Sequence, residues 1–175
     1  MDIKLISEEL GFGAALESRE LALSCSEDMN GFEIKSESKR ISIRYGKTAY
    51  LCRALSYLKK YGDFCIAEQC RFNSNGIMID CSRNAVNSVE AVKRLIRMMA
   101  LMGLDTLMLY TEDTYEVPEY PYFGYLRGRY TQDELREIDA YAESMGVELV
   151  PCIQTLAHLG QFLQWQDARK LADQP

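Results

Sequence analysis

Three short clusters hold the side chains best suited to chemistry: Asp80-Cys81-Ser82-Arg83, Tyr110-Thr111-Glu112-Asp113 and Gln154-Thr155-Leu156-Ala157-His158. Each follows directly on an apolar run. They supply an arginine, a pair of acids and the single histidine, the types that bind polar ligands and move protons. Each has a plainer alternative. An arginine after a strand more often pairs with a surface acid, adjacent acids in a loop are usually solvated, and a lone histidine is more often structural. The weight lies in the coincidence. In parallel α/β folds ligands sit at the carboxyl ends of the strands, and independent accidents would scatter over both rims.

The elements that position these clusters can be read from periodicity. Ile77–Cys81, Leu104–Tyr110 and Val147–Ile153 are short apolar runs, as expected of strands buried on both faces. Helices lie between them. Asn87 or Ser88 can cap one that starts near Val89, whose stripe is Val89, Val92, Leu95, Ile96, Met99 and Met102 and which Gly103 ends. Thr131 and Glu134 form a capping-box pair for the next, which should bury Leu135, Ile138, Ala142 and Met145 before Gly146. Strand–helix–strand alternation predicts a parallel sheet with right-handed crossovers. A doubly wound sheet and a barrel both fit, but no glycine-rich phosphate loop follows the first strand, which disfavours a dinucleotide fold.

Ahead of this lies a different unit. Phe32–Lys35 and Ile41–Tyr45 alternate like strands joined by a hairpin, and Leu21–Ser24 is a weaker strand. Thr48 to Tyr61 is expected to be a helix stopped by Gly62, and Phe64 to Phe72 another strand. The cluster Asn73-Ser74-Asn75-Gly76 is taken as the boundary. The expected domains are therefore residues 1–75, a small α+β unit, and 76–175, an α/β unit.

Composition narrows the function classes. Residues 1–75 carry 11 basic and 11 acidic side chains, while 76–175 carry 9 against 15, so the whole excess of −6 falls in the second part. That acidity argues against nucleic acid and anionic membrane as partners. No apolar run is long enough to cross a membrane, and MDIKLISEEL lacks the features of a signal peptide, so a cytoplasmic protein is expected. The six cysteines form no CxxC pair, and one histidine cannot complete a zinc set; no metal or other cofactor is expected. Between Glu112 and Tyr125 stand Tyr115, Tyr120, Tyr122, Phe123 and Tyr125 with Pro118 and Pro121. Such rings pack well on sugar C–H faces, or simply anchor a long loop.

The runs NGIMIDCSRN, LDTLMLYTED and GRYTQDELREIDAYAESMGVELVPCIQTLAH, in that order and spacing, resemble the start of the catalytic barrel of family-20 glycoside hydrolases, the β-N-acetylhexosaminidases. The part before them resembles the small α+β domain that precedes that barrel. The resemblance implies a (β/α)8 barrel of which the chain holds the first three strands, and hydrolysis of terminal β-linked N-acetylglucosamine or N-acetylgalactosamine. The mechanism implied is retaining, with the substrate's acetamido oxygen as nucleophile. Arg83 matches the arginine that binds hydroxyls of the terminal sugar. Asp113 and His158 match an Asp–His pair that supports the catalytic acid. The Asp-Glu pair that performs catalysis ends the family's fourth strand, and Asp133-Glu134 is not that pair, because it caps a helix. No general acid is therefore assigned in this chain, which is expected to be a truncated, inactive piece that self-associates through exposed sheet edges. Departures include Asn84 after the arginine, Thr114-Tyr115 after the acids and Leu156-Ala157 before the histidine. Two other readings remain: a non-catalytic carbohydrate-binding or scaffold module, and a different barrel glycoside hydrolase.

Overall fold

The computed structural model describes residues 2–60, 62–83 and 85–173. Helices α1 (Ile3–Glu9) and α2 (Gly13–Glu17) open the chain, a stretch the sequence pattern leaves ambiguous. Asp2 caps α1 by accepting from the amides of Lys4 and Leu5. Strands β1 (Glu20–Cys25), β2 (Gly31–Ser36), β3 (Arg40–Tyr45) and β4 (Phe64–Gln69) form one sheet in the order β1-β3-β2-β4. The β2–β3 hairpin is antiparallel, and β1 joins it parallel to β3. Its inner face buries Phe32, Ile34, Ile41 and Ile43 beneath helix α3 (Thr48–Ser56).

Helix α3 ends earlier than its leucine spacing predicts. A tight turn over Tyr57–Lys59 follows Ser56, and Lys60 is already extended. The Tyr57 hydroxyl donates to Glu68 on β4, and Arg53 clamps the same carboxylate at 3.0 and 3.1 Å. That tertiary anchor draws the chain off the helix before Gly62 is reached. Tyr61, the expected last helical residue, lies outside the described residues.

The second sheet is parallel, β5 (Gly76–Asp80), β6 (Thr106–Thr111) and β7 (Glu148–Ile153), in the order β5-β6-β7. Helices α4 (Val89–Met102) and α5 (Gln132–Ser144) make the crossovers. Ser88 caps α4 and Gly103 ends it at φ 77°. Thr131 and Glu134 form the reciprocal capping box on α5. Strand alternation turns Ile77, Ile79, Leu107, Leu109 and Leu149 toward the helices. Met78 and Met108, on the opposite face, are exposed. The sequence predicts strands buried on both faces, but the side away from the helices leaves Met78 and Met108 exposed, and on the helix side the end of β7 is open at Pro151 and Ile153.

One hydrophobic core runs through both sheets, because α3 packs on α4. Gly146 shows how closely the parts approach. It sits at φ 74°, and a Cβ there would lie 2.6 Å from the amide nitrogen of Ala49. Gly146→Ala is therefore expected to cost about 3 kcal/mol, from left-handed strain plus a backbone clash. Thermal melting should show this as a fall of about 6–12 °C.

The turn at residues 73–76 is tied down by a nearly buried carboxylate. Asp105 accepts from the Asn75 amide at 2.8 Å and from Lys47, Ser74 and Thr106 at 3.1 Å each. Burial opposes ionisation, but these donors outweigh it and hold the Asp105 carboxyl below its ordinary value. The stabilisation is thus fully present above the unfolded value of about 4 and fades as pH falls through the lowered folded one. Asp105→Ala should cost about 3 kcal/mol at pH 7 and less at pH 3, read from urea melts at both.

Candidate active site

The three candidate clusters fall at one rim, the carboxyl ends of β5, β6 and β7. Strand β5 ends on Asp80, whose Oδ1 accepts from the amide and hydroxyl of Ser82 at 2.8 and 2.6 Å. Its Oδ2 accepts from Arg83 at 2.7 Å. Those bonds, Ser82's first and then Arg83's, hold the Asp80 carboxyl well below the usual carboxylate range. Arg83 in turn lies across Tyr110, with the guanidinium carbon 5.2 Å from the ring centroid. Its Nη2 stands 3.2 Å from Glu112 and 3.4 Å from the Tyr110 hydroxyl. A guanidinium held by two carboxylates at a half-exposed rim is pre-oriented to donate to a polar ligand. Asn84 lies outside the described residues.

His158 stands at the end of the loop after β7, at φ 62°, with 53% of its side chain exposed. Among the described residues, the carboxylate within reach of its Nδ1 is Glu112, at 3.7 Å. The sequence expectation pairs His158 with Asp113. Asp113 is instead buried, 2% exposed, with the Arg127 guanidinium 3.4 Å away. Both acids lie in the bend just past the end of β6 at Thr111, where the strand's alternation no longer fixes which way each side chain points. The rim thus brings together Arg83, Glu112 and His158, with Asp113 behind them.

Arg127 is part of this arrangement and carries no sequence signal. It comes from the loop between β6 and α5, donates to the Ser82 carbonyl, and lies 3.4 Å from Asp113 and 3.9 Å from Glu112. One cation therefore serves two neighbouring acids and ties two rim loops together. Gly124, at φ 67°, lets the loop turn back over Asp113: a Cβ there would lie 2.2 Å from the Asp113 carbonyl oxygen.

The aromatic loop is divided by the structure. Phe123 packs against Tyr115 at 4.9 Å and against Phe162 at 4.9 Å, and Tyr120 meets Phe162 at 5.6 Å. These rings form a small second core between the loop after β6 and the segment around helix α6 (Gly160–Leu163), which follows His158. Tyr122 and Tyr125 stay exposed against Trp165. Asp133 and Glu134 lie in the first turn of α5: Glu134 completes the capping box by accepting from the Thr131 amide at 2.8 Å, and Asp133 pairs with Arg136.

A parallel sheet with charged groups gathered at its carboxyl rim defines an α/β protein of the kind that binds ligands there. The model for the glycosyl hydrolase family 20 catalytic domain matches residues 72–174, more than half of the sequence. The chain belongs to that family. It is 28% identical over 126 residues to a probable beta-hexosaminidase of Drosophila melanogaster, a match covering 66% of this chain and 19% of that protein. It is 31% identical over 114 residues to the chitooligosaccharidolytic beta-N-acetylglucosaminidase of Ostrinia furnacalis, covering 60% and 19%. The chain thus spans about a fifth of the length of these relatives. Its fold resembles the beta-N-acetylhexosaminidase of Bacteroides fragilis, with a TM-score of 0.73, 21% identity, and coverage of 93% of this chain and 40% of that one. It also resembles the exo beta-N-acetylglucosaminidase of Vibrio harveyi, solved in complex with N-acetylglucosamine, with a TM-score of 0.66, 24% identity, and coverage of 75% and 27%.

Proposed function

We propose that these residues form the opening of a β-N-acetylhexosaminidase: a small α+β domain over residues 1–75, then the first three strands of a (β/α)8 barrel over 76–175. The enzyme would remove terminal β-linked N-acetylglucosamine or N-acetylgalactosamine. The observation that carries this reading is the meeting of Arg83, Glu112 and His158 at one strand rim. The uncovered face bearing Met78 and Met108 supports it, since a barrel interior is filled by such side chains from further strands.

In this reading Arg83 donates to hydroxyls of the terminal ring. Its paired N–H groups suit vicinal oxygens, and Asp80 and Glu112 fix its plane. Glu112 orients the His158 imidazole, which tunes a carboxylic acid supplied by a later strand, as the family's order implies. That acid protonates the leaving oxygen while the substrate's acetamido oxygen attacks, with retention. The 175 residues alone would then bind sugar without turning it over, and their open edge strands β5 and β7 would favour self-association.

The test is hydrolysis of a chromogenic β-N-acetylglucosaminide by the complete gene product. Arg83→Ala should lower kcat/KM by about 100-fold or more, the loss of a charge-assisted pair of hydrogen bonds. No turnover by the complete protein would sink the enzyme reading in favour of a binding module. Unchanged turnover in Arg83→Ala would remove Arg83 from the sugar site.

A further inference from the structure

We propose that the cleft beside the stacked pair Tyr122 and Trp165 is a second carbohydrate site, holding a ring further along an oligosaccharide whose terminal sugar lies at Arg83. This rests on the hexosaminidase reading above. Most rings of the aromatic loop are accounted for by the small buried core around Phe123 and Phe162. Tyr122 and Tyr125 lie outside it and remain 41% and 47% exposed. Tyr122 lies nearly parallel to Trp165, with centroids 5.4 Å apart and planes 27° apart. Tyr125 meets the same indole edge-on at 5.5 Å.

Beside this pair opens a cleft of about 240 Å³. Tyr122, Trp165 and Phe162 supply its flat apolar wall, and Glu119, Asp167 and Lys170 its polar border. That combination matches a pyranose, whose C–H face is apolar and whose edge is ringed with hydroxyls. Carboxylates accept from those hydroxyls, and an ammonium donates to them. A few placed polar groups around an aromatic wall is also the usual anatomy of a small-ligand site. A purely apolar ligand would leave the three charges without purpose, and a flat protein partner would not fill the cleft.

The position fits an extended chain. Both walls leave the carboxyl ends of strands in the same sheet, β6 and β7; Phe162 lies in the single turn of α6, which begins two residues after His158, and Trp165 follows just beyond it. Sugar bound here would lie on the same rim as the terminal ring.

Trp165 is the sole tryptophan of the 175 residues, so its fluorescence reports on this cleft alone. Titrating the chain with tri-N-acetylchitotriose should shift its emission saturably, and N-acetylglucosamine should act at least tenfold more weakly. Tyr122→Ala should weaken the trimer response at least tenfold and Asp167→Asn several-fold, with circular dichroism unchanged. Emission unmoved by the trimer in the folded chain would overturn the proposal, as would a full response in Tyr122→Ala. An equal response to the monomer would overturn the extended-chain assignment. If the trimer moves Trp165 but the complete gene product cleaves no N-acetylglucosaminide, the enzyme reading fails and the second site stands. Cleavage without any Trp165 response removes only the second site.

Discussion

Glu112→Gln is expected to lower kcat of the complete gene product by about 10²–10³-fold, the usual reach of general acid–base assistance. Asp113→Asn is expected to leave kcat within a few-fold and to act on stability instead. The contrast follows from the contacts each acid makes. Glu112 lies within 3.7 Å of the His158 imidazole and 3.2 Å of Arg83. Asp113 is buried and lies 3.4 Å from Arg127. Glu112 touches no substrate in this scheme; it positions His158. A merely structural role would lower activity without moving the pH–rate profile. A positioning role moves one limb of that profile in Glu112→Gln, and Glu112→Asp restores part of it. Should Asp113→Asn instead cost the larger factor and displace the limb, the pairing of His158 with Glu112 would be discarded.

The partner of His158 was not legible from strand parity, because Glu112 and Asp113 both lie in the bend past Thr111; the family resemblance points to Asp113, and the structure puts Glu112 3.7 Å from the imidazole. Other features were legible because their causes are local. Ser88, Gly103, and the Thr131–Glu134 box mark α4 and α5 through capping chemistry that a few residues contain. What stayed hidden depends on distant partners. Glu68 draws Tyr57 out of α3, and only the fold shows that Gly146 lies against Ala49. The aromatic loop could not be sorted from its composition, because Phe162 and Trp165, which separate buried rings from exposed ones, come from some forty residues later. Arg127 had no pattern at all. It sits in a loop of irregular backbone, and its worth depends on Glu112 and Asp113, some fourteen residues earlier in that loop, and on Ser82 from the loop after β5.

That dependence makes Arg127→Met the second large expectation. The guanidinium is the cation closest to Asp113, whose Oδ1 accepts no hydrogen bond among the described residues, and it also faces Glu112. Removing it leaves a carboxylate 2% exposed without its counter-charge, beside another acid, and frees the Ser82 carbonyl that anchors the Arg83 loop. Breaking such a buried pair costs about 3–5 kcal/mol, because the orphaned charge keeps its desolvation penalty. Methionine preserves most of the stem's packing, so the loss reports charge rather than volume. If the orphaned charge is the cause, neutralising it must help: Arg127→Met with Asp113→Asn should be more stable than Arg127→Met alone, with a coupling energy of at least about 1 kcal/mol in a double-mutant cycle. Urea denaturation of the four proteins measures this. Strict additivity would show that Arg127 acts through Glu112 or the Ser82 carbonyl and not through Asp113. Sugar binding offers a second readout, since Arg127 reaches Arg83 through the Ser82 carbonyl and through Glu112, neither of which Asp113→Asn restores: the double variant should regain stability while its affinity for N-acetylglucosamine stays as low as that of Arg127→Met.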